Sequence, residues 1–355
     1  MIAWLGPFLP LVGGVLAFLL SLYLAPILIR AALRYGIVDH PKPPLKEHRE
    51  PTPYLGGLVV FAAFLGALAL TFPFDARVLA ILLAASLVVS VGLIDDLGTL
   101  TPKDKLLGQL IAAIVLVKAG VAVEIAAVPS PVDELISVVW LVTCMNAFNI
   151  VDVSDGLSTT AGAVGATGAL TVAILNREPV VAAMSACLLG ACLGFLRVNW
   201  QPARMYLGDT GSMFLGAVLG ALAMVGRYSE SNVVSSWFVP LVLCGIPLFD
   251  LTLVVIARTL AGRKVWLGSP DHFAVRLRLH GVSARATARG AGLLGLLAVG
   301  AAVLSTVLDD QGAMMVLAGV AALGLGLLLA FLLRFPPSAP AADSGPPTPG
   351  AGTAA

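Results

Sequence analysis

Long, continuous apolar runs constrain this chain more than any other feature of its sequence. The first extends from about Phe8 to Leu33, and others centre near Leu65, Ser86, Ile114, Val142, Gly168, Leu188, Leu219, Leu243, Val299 and Leu323. A helix crossing a bilayer needs about 20 mostly apolar residues, so the pattern predicts about eleven membrane spans. The runs are unbroken rather than alternating, which excludes a transmembrane β-barrel. Composition closes the case against a soluble fold. Hydrophobic residues make up 59% of the 355 positions and charged residues 12%, where soluble proteins carry about 25% charged residues. The excess apolar surface must face lipid. The first run is longer than the core of a signal peptide and has no basic segment before it, so it reads as a span and not a leader. The expected fold class is all-α: a polytopic transmembrane helical bundle forming one domain over residues 1–335.

The basic residues predict its orientation. If the loop holding Arg30, Arg34, Lys42, Lys46 and Arg49 is cytoplasmic, alternation of the spans puts 17 of the 21 Lys and Arg on that side. Only Arg77, Lys118, Arg177 and Arg227 fall on the other. The N-terminus is then outside and the C-terminus cytoplasmic. Residues 336–355, rich in Pro, Ala and Gly, cannot bury enough to offset their ordering entropy and are expected to form a disordered cytoplasmic tail. A net charge of +1 gives no electrostatic sign of nucleic-acid binding. Cys144, Cys187, Cys192 and Cys244 all lie in apolar segments without metal-ligand spacing and read as packing residues.

Ionisable groups at membrane depth are costly, so their placement carries information. Four clusters stand out, all on the predicted cytoplasmic side. Asp95 and Asp96 end the third span; adjacent carboxylates repel unless a cation or proton intervenes, and at a helix C-terminus they oppose the macrodipole. Asn146, Asn149, Asp152 and Asp155 recur at every third position, so two or three share a face if that segment stays helical, with Gly156 ending the helix or turning the chain. Asp209 and Thr210 precede the eighth span, as a simple N-cap or as a place where a carboxylate and a helix N-terminus meet a metal-bound phosphate. His272, Arg276, Arg278 and His280 lie in a basic loop that serves topology alone or clamps an anion. Together these carboxylates, amides and cations suit a Mg²⁺-dependent phosphate site, because Mg²⁺ is typically held by one or two carboxylates plus substrate phosphates. Phosphoryl transfer needs mainly positioning and charge neutralisation.

The segments VDHPKPPLKEHREPTPYLGG, GLIDDLG, NAFNIVDVSDGL and YLGDTGS resemble, in wording and order, the polyprenyl-phosphate N-acetylhexosamine-1-phosphate transferases, whose superfamily includes the phospho-N-acetylmuramoyl-pentapeptide transferases. The resemblance runs from about Gly36 to Gly281. It implies an enzyme of the bacterial cytoplasmic membrane with its active site facing the cytoplasm. There undecaprenyl phosphate attacks the β-phosphate of a UDP-sugar, most simply UDP-GlcNAc, releasing UMP and starting a lipid-linked cell-envelope polysaccharide. It further implies Mg²⁺ or Mn²⁺ as cofactor, held by Asp209, with Asp95, Asp96 and Asp152 as catalytic carboxylates. Asn149 and Asp155 would shape the donor pocket, with Asn146 read beside them from the same series, and His48, His272 and Arg276 would contact the substrate. His48 matches the first loop of the non-peptidoglycan branch, and a homodimer is plausible for the superfamily. Two departures stand out. Tyr54 occupies a position that is often basic, and His272-Phe273-Ala274-Val275-Arg276 replaces the usual His-x-His-His run, leaving Arg278 to compensate as an anion ligand.

Other classes make different demands. A transporter should carry ionisable groups near the bilayer midplane and often repeated halves; these acids end spans, and no repeat is detectable. An intramembrane aspartyl protease needs two facing aspartates and a Gly-x-Gly-Asp segment, where this chain reads Tyr206-Leu207-Gly208-Asp209. The altered histidine run leaves a non-catalytic relative as a further alternative.

Overall fold

The computed structural model describes residues 8–39, 51–98, 100–123, 129–229, 232–265 and 270–335. The predicted tail lies outside them, and so does His48. The described chain is a helical bundle. α1 (Leu9–Tyr35) is followed by a ribbon of two short antiparallel strands, β1 (Val38–Asp39) and β2 (Thr52–Pro53), which pair Val38 with Pro53 and Asp39 with Thr52. Then come α2 (Gly56–Thr71), α3 (Ala76–Asp96), α4 (Pro102–Lys118), α5 (Ser130–Val151), α6 (Leu157–Leu175), α7 (Pro179–Asn199) and α8 (Gly208–Val225). The chain continues through α9 (Val234–Leu243), α10 (Gly245–Leu260), the short α11 (Phe273–Leu279), α12 (Ala284–Ser305) and α13 (Asp310–Arg334).

Every predicted span centre falls in one of these helices. Eight of them, α1, α3, α5, α6, α7, α8, α12 and α13, are long and apolar enough to cross a membrane. α9 and α10 qualify only as a pair and are bent by 78° at their junction. The bend has a covalent cause: Pro247 has no N–H to donate to the carbonyl of Leu243, so the helical ladder cannot run straight through. α2 and α4 have 16 and 17 residues, about 24 and 26 Å at 1.5 Å per residue, short of the roughly 30 Å of a bilayer core. The polytopic all-helical class is therefore as predicted, and the ribbon and α11 are additions that periodicity did not reveal.

α8 is the axis of the bundle. It packs against α2, α3, α5 and α6, and its face-to-face neighbours leave almost none of it exposed; Thr210, Ser212, Met213, Phe214 and Leu215 are all fully buried. By contrast Leu11, Leu83, Ile114, Leu297 and Leu333 point outward from the periphery, the arrangement expected where lipid is the solvent. α13 is the most peripheral element, with only Ala313 and Leu317 buried. The rings of Phe249, Phe273 and Phe331 meet edge-on and join α10, α11 and α13. An apolar cavity of about 480 Å³ lies between α9, α10, α12 and α13 and contains none of the candidate site residues. All four cysteines are free and buried, as their apolar surroundings suggested.

Close approach of α3 to α8 sets up the site. A side chain at Gly92 would put its Cβ 2.5 Å from Thr210 Cα, so only glycine lets the two backbones cross there. Asp96 lies four residues on, on the same face of α3, and so reaches the start of α8.

Candidate active site

The ends of four helices meet at one end of the bundle: the C-termini of α3 and α5 and the N-termini of α4 and α8. Asp95, Asp96, Asn149 and Asp209, all expected in the site, come together there, with Lys105 at the centre. The Lys105 ammonium is 2.8 Å from Asp95 Oδ2, donates to Asn149 Oδ1 at 3.1 Å, and also pairs with Asp209 Oδ2. Asn149 donates its amide to Asp209 Oδ1 at 2.7 Å and to Ser212 Oγ at 3.1 Å. Asn146, one turn earlier on α5, donates to Gln109 Oε1 at 2.7 Å and so ties α5 to α4.

The two adjacent aspartates solve their repulsion separately. Asp95 takes the lysine. Asp96 takes the N-terminus of α8, accepting from Asp209 N at 2.8 Å, Thr210 N at 3.0 Å and Thr210 Oγ1 at 2.6 Å. It caps a neighbouring helix whose free N–H groups and dipole favour an anion. The alternatives for Asp209 and Thr210 are thereby resolved in part. Their N–H groups are spent on Asp96 and are not presented to a phosphate, while the Asp209 carboxylate faces the lysine. Gly208 makes this entry feasible, with φ +73° and a position against the Asp96 carboxylate that leaves no room for a Cβ.

α5 stops at Val151, so the three-residue series is only half helical. Asp152 follows as the C-cap, and among the described residues its carboxylate has no hydrogen-bond or ion-pair partner. Burial first, then the charges of Asp209, Asp96 and Asp155, hold its carboxyl well above the usual carboxylate range. Asp155 accepts from Ala203 N at 3.0 Å, and Gly156 turns the chain in the left-handed region at φ +71°.

Two of the candidate residues of the basic loop are tied into the bundle. His272 Nδ1 lies 2.8 Å from Asp250 Oδ2, a carboxylate buried on α10 that also accepts from Phe273 N. The Arg276 guanidinium is buried and donates to the carbonyls of Asp271, Phe331 and Phe335, fastening α11 to the end of α13. Arg278 is exposed. Phe273 shares an apolar cluster with Val151 and Leu157, the residues either side of the Asp152–Gly156 turn, which sets this loop against the α5 end of the site. The described chain just after His48 is anchored nearby: Tyr206 N donates to Pro53 O at 2.8 Å, and Gly56 N donates to Tyr206 O at 3.0 Å.

Sequence reasoning used Lys105 only to count loop charge, and it missed Gln109 and Asp250. A usable signal existed. Lys105 and Gln109 sit four residues apart, hence on one face of α4, with the lysine in the first turn where the macrodipole disfavours a cation.

Among the described residues no three His, Cys, Asp or Glu side chains enclose a common point as metal ligands. What converges on the lysine is a set of oxygens from Asp95, Asp209 and Asn149. Such hard donors could hold Mg²⁺ or Mn²⁺, which take oxygen ligands and are usually completed by water and substrate phosphates, and they do not suit metals that want thiolate or imidazole.

Fold and cluster together define a polytopic helical membrane protein with a charged polar site at one end of its bundle. Comparison with known proteins gives the particular family. The model of glycosyl transferase family 4 matches residues 78–227, which include Asp95, Asp96, Lys105, the Asn146–Asp155 segment and Asp209. A probable undecaprenyl-phosphate N-acetylglucosaminyl 1-phosphate transferase of Bacillus subtilis is 31% identical over 283 residues, 77% of this chain and 78% of its own length. A decaprenyl-phosphate N-acetylglucosaminephosphotransferase of Mycolicibacterium smegmatis is 32% identical over 82% of this chain and 80% of its own. A phospho-N-acetylmuramoyl-pentapeptide-transferase of Halalkalibacterium halodurans is 30% identical over 73% and 86%. The chain belongs to glycosyl transferase family 4 and is an enzyme, which removes the transporter, protease and scaffold alternatives.

Proposed function

We propose that this enzyme transfers a sugar-1-phosphate, GlcNAc-1-phosphate before others, from a UDP-sugar to undecaprenyl phosphate, releasing UMP. The observation that carries the reading is the convergence of Asp95, Lys105, Asn149, Asp152 and Asp209 from four helices at one end of the bundle. With a divalent cation bound, that grouping is suited to gathering phosphates, and relatives whose names specify GlcNAc-phosphate transfer to polyprenyl phosphates span most of the chain. Asp209, Asp95 and Asn149 would hold a Mg²⁺ ion, which supplies neutralisation of the diphosphate charge. Lys105 adds a cation directed at the same phosphates. Asp152, whose carboxylate has no partner among the described residues, orients the lipid phosphate and takes up its proton, so the acceptor attacks the β-phosphate directly without a second nucleophile.

In this reading α2, α4 and the bent α9–α10 pair complete eleven spans, and the site faces the cytoplasm. Support comes from the charges: Arg77 and Lys118 lie in the terminal turns of α3 and α4, and Arg177 and Arg227 just beyond α6 and α8, all at helix ends opposite to the cluster, and these are the four basic residues that the loop-charge rule assigns outside. A second donor stays in view because of the pentapeptide-transferase relative.

Purified protein in detergent with Mg²⁺ and undecaprenyl phosphate, offered a panel of UDP-sugars including UDP-MurNAc-pentapeptide, should release UMP and form a lipid-diphosphate sugar with UDP-GlcNAc. EDTA and Asp209→Asn should each abolish turnover. Turnover with the pentapeptide donor alone would reassign the substrate, and turnover insensitive to EDTA would remove the metal.

A further inference from the structure

Lys105 carries three N–H donors and no acceptor. All three are matched by protein oxygens, those of Asp95, Asn149 and Asp209. These are the oxygens that the functional reading above assigns to the divalent cation, and the present inference rests on that assignment. An ammonium and a metal ion cannot share one three-oxygen cradle, because their like charges would sit within contact distance.

We propose that Lys105 is a resident counter-ion: it occupies the cation position in the metal-free enzyme and is displaced when the divalent ion enters. Three features of the site argue for displacement over permanent pairing. Two carboxylates face one ammonium, so the cradle keeps a net negative charge that a divalent ion neutralises fully. Lys105 stands in the first turn of α4, where the helix dipole disfavours a cation, and it is held there by two acids and one amide oxygen from other helices. Its stem is a flexible four-carbon chain with 17% of the side chain exposed, so it has somewhere to go. The displaced ammonium stays within a side chain's length of the metal and can meet a phosphate bound to it. Metal and donor should therefore bind with positive coupling, since each stabilises the arrangement that the other needs. Without the lysine the two acids would repel one another in the empty site, and the metal would meet no competitor.

Mn²⁺ binding to the purified full-length enzyme, read from the free-ion EPR signal without substrate, tests this directly. Lys105→Met should bind Mn²⁺ about tenfold more tightly than wild type, the scale set by removing a like charge a few ångströms from the site. Equal or weaker binding by the variant would overturn the proposal, because a lysine that merely organises the ligands predicts that result. A second measurement needs no variant. Competitive acylation of wild-type protein, followed by mass spectrometry, should show Lys105 becoming several-fold more reactive on Mn²⁺ addition, with the exposed Lys103 as internal reference. Reactivity that does not move overturns the displacement. Absence of Mn²⁺ binding in every form would overturn the metal assignment along with it. Equal binding with unchanged Lys105 labelling would overturn the displacement alone.

Discussion

Two neighbouring aspartates at the end of α3 have different occupations, and the difference is measurable. Asp96 accepts three hydrogen bonds from the first turn of α8. Asp96→Ala leaves those donors unsatisfied in a buried place, at about 1–3 kcal/mol for each group lost. The variant should melt markedly earlier in detergent as well as lose activity, and an unchanged melting temperature would contradict its capping role. Asp152 makes the opposite case. Its carboxylate has no described partner and its charge is opposed by burial and by three neighbouring carboxylates, so Asp152→Asn should leave the protein as stable or more stable at neutral pH while lowering turnover by roughly 100-fold or more. The pH profile gives a second check. Burial and three neighbouring carboxylates raise the Asp152 pKa, and only its ionised form can accept a proton. Rate should therefore rise with pH along an acid limb that lies above the ordinary carboxylate range, and Asp152→Asn should erase that limb.

At the scale of elements, the site depends on how closely helices can cross. Asp96 reaches α8 because Gly92, one turn earlier, lets α3 touch the backbone of Thr210. Gly92→Ala should force the helices apart at a cost of about 1–3 kcal/mol and reduce activity by moving both aspartates. Gly300→Ala on α12 is the control. A Cβ there meets nothing within 4 Å, and the change should be neutral or stabilising by about 0.5–1 kcal/mol. Melting curves of the two variants side by side decide whether tight crossing, and not glycine content, is what the site requires. The basic loop also belongs to this scale. His272 and Arg276 are bound into α10 and α13 by Asp250 and by the carbonyls of Phe331 and Phe335. Of the three loop residues proposed to meet the donor, Arg278 alone is exposed.

For the whole molecule, the proposed topology can be read from the two ends of a single helix. α4 begins beside exposed Lys103, near the cluster, and ends at Lys118, which pairs with Glu134 at 2.7 Å on the surface. The native cysteines are all buried, so background labelling should be low. In intact cells an impermeant maleimide should modify Lys118→Cys and spare Lys103→Cys until the membrane is opened. The reverse pattern would invert the orientation.

The sequence by itself determined the helical membrane class, the eleven apolar runs and the clustering of acids at span ends. Those features follow from local physics: each apolar run must satisfy its backbone internally and face lipid, and each ionisable residue must lie where a partner or water can reach it. It also identified Asp95, Asp96, Asn149 and Asp209 as companions, since residues at the same end of alternating spans are brought to one side. Only the tertiary structure decided their partners. Lys105 and Asp96 act through contacts with residues about a hundred positions away. No periodicity encodes such pairs, because they arise from the angle and depth at which α3, α4, α5 and α8 cross. The same crossing converts a pair of like charges, unfavourable in sequence, into a cap for one helix and a counter-ion pair for another.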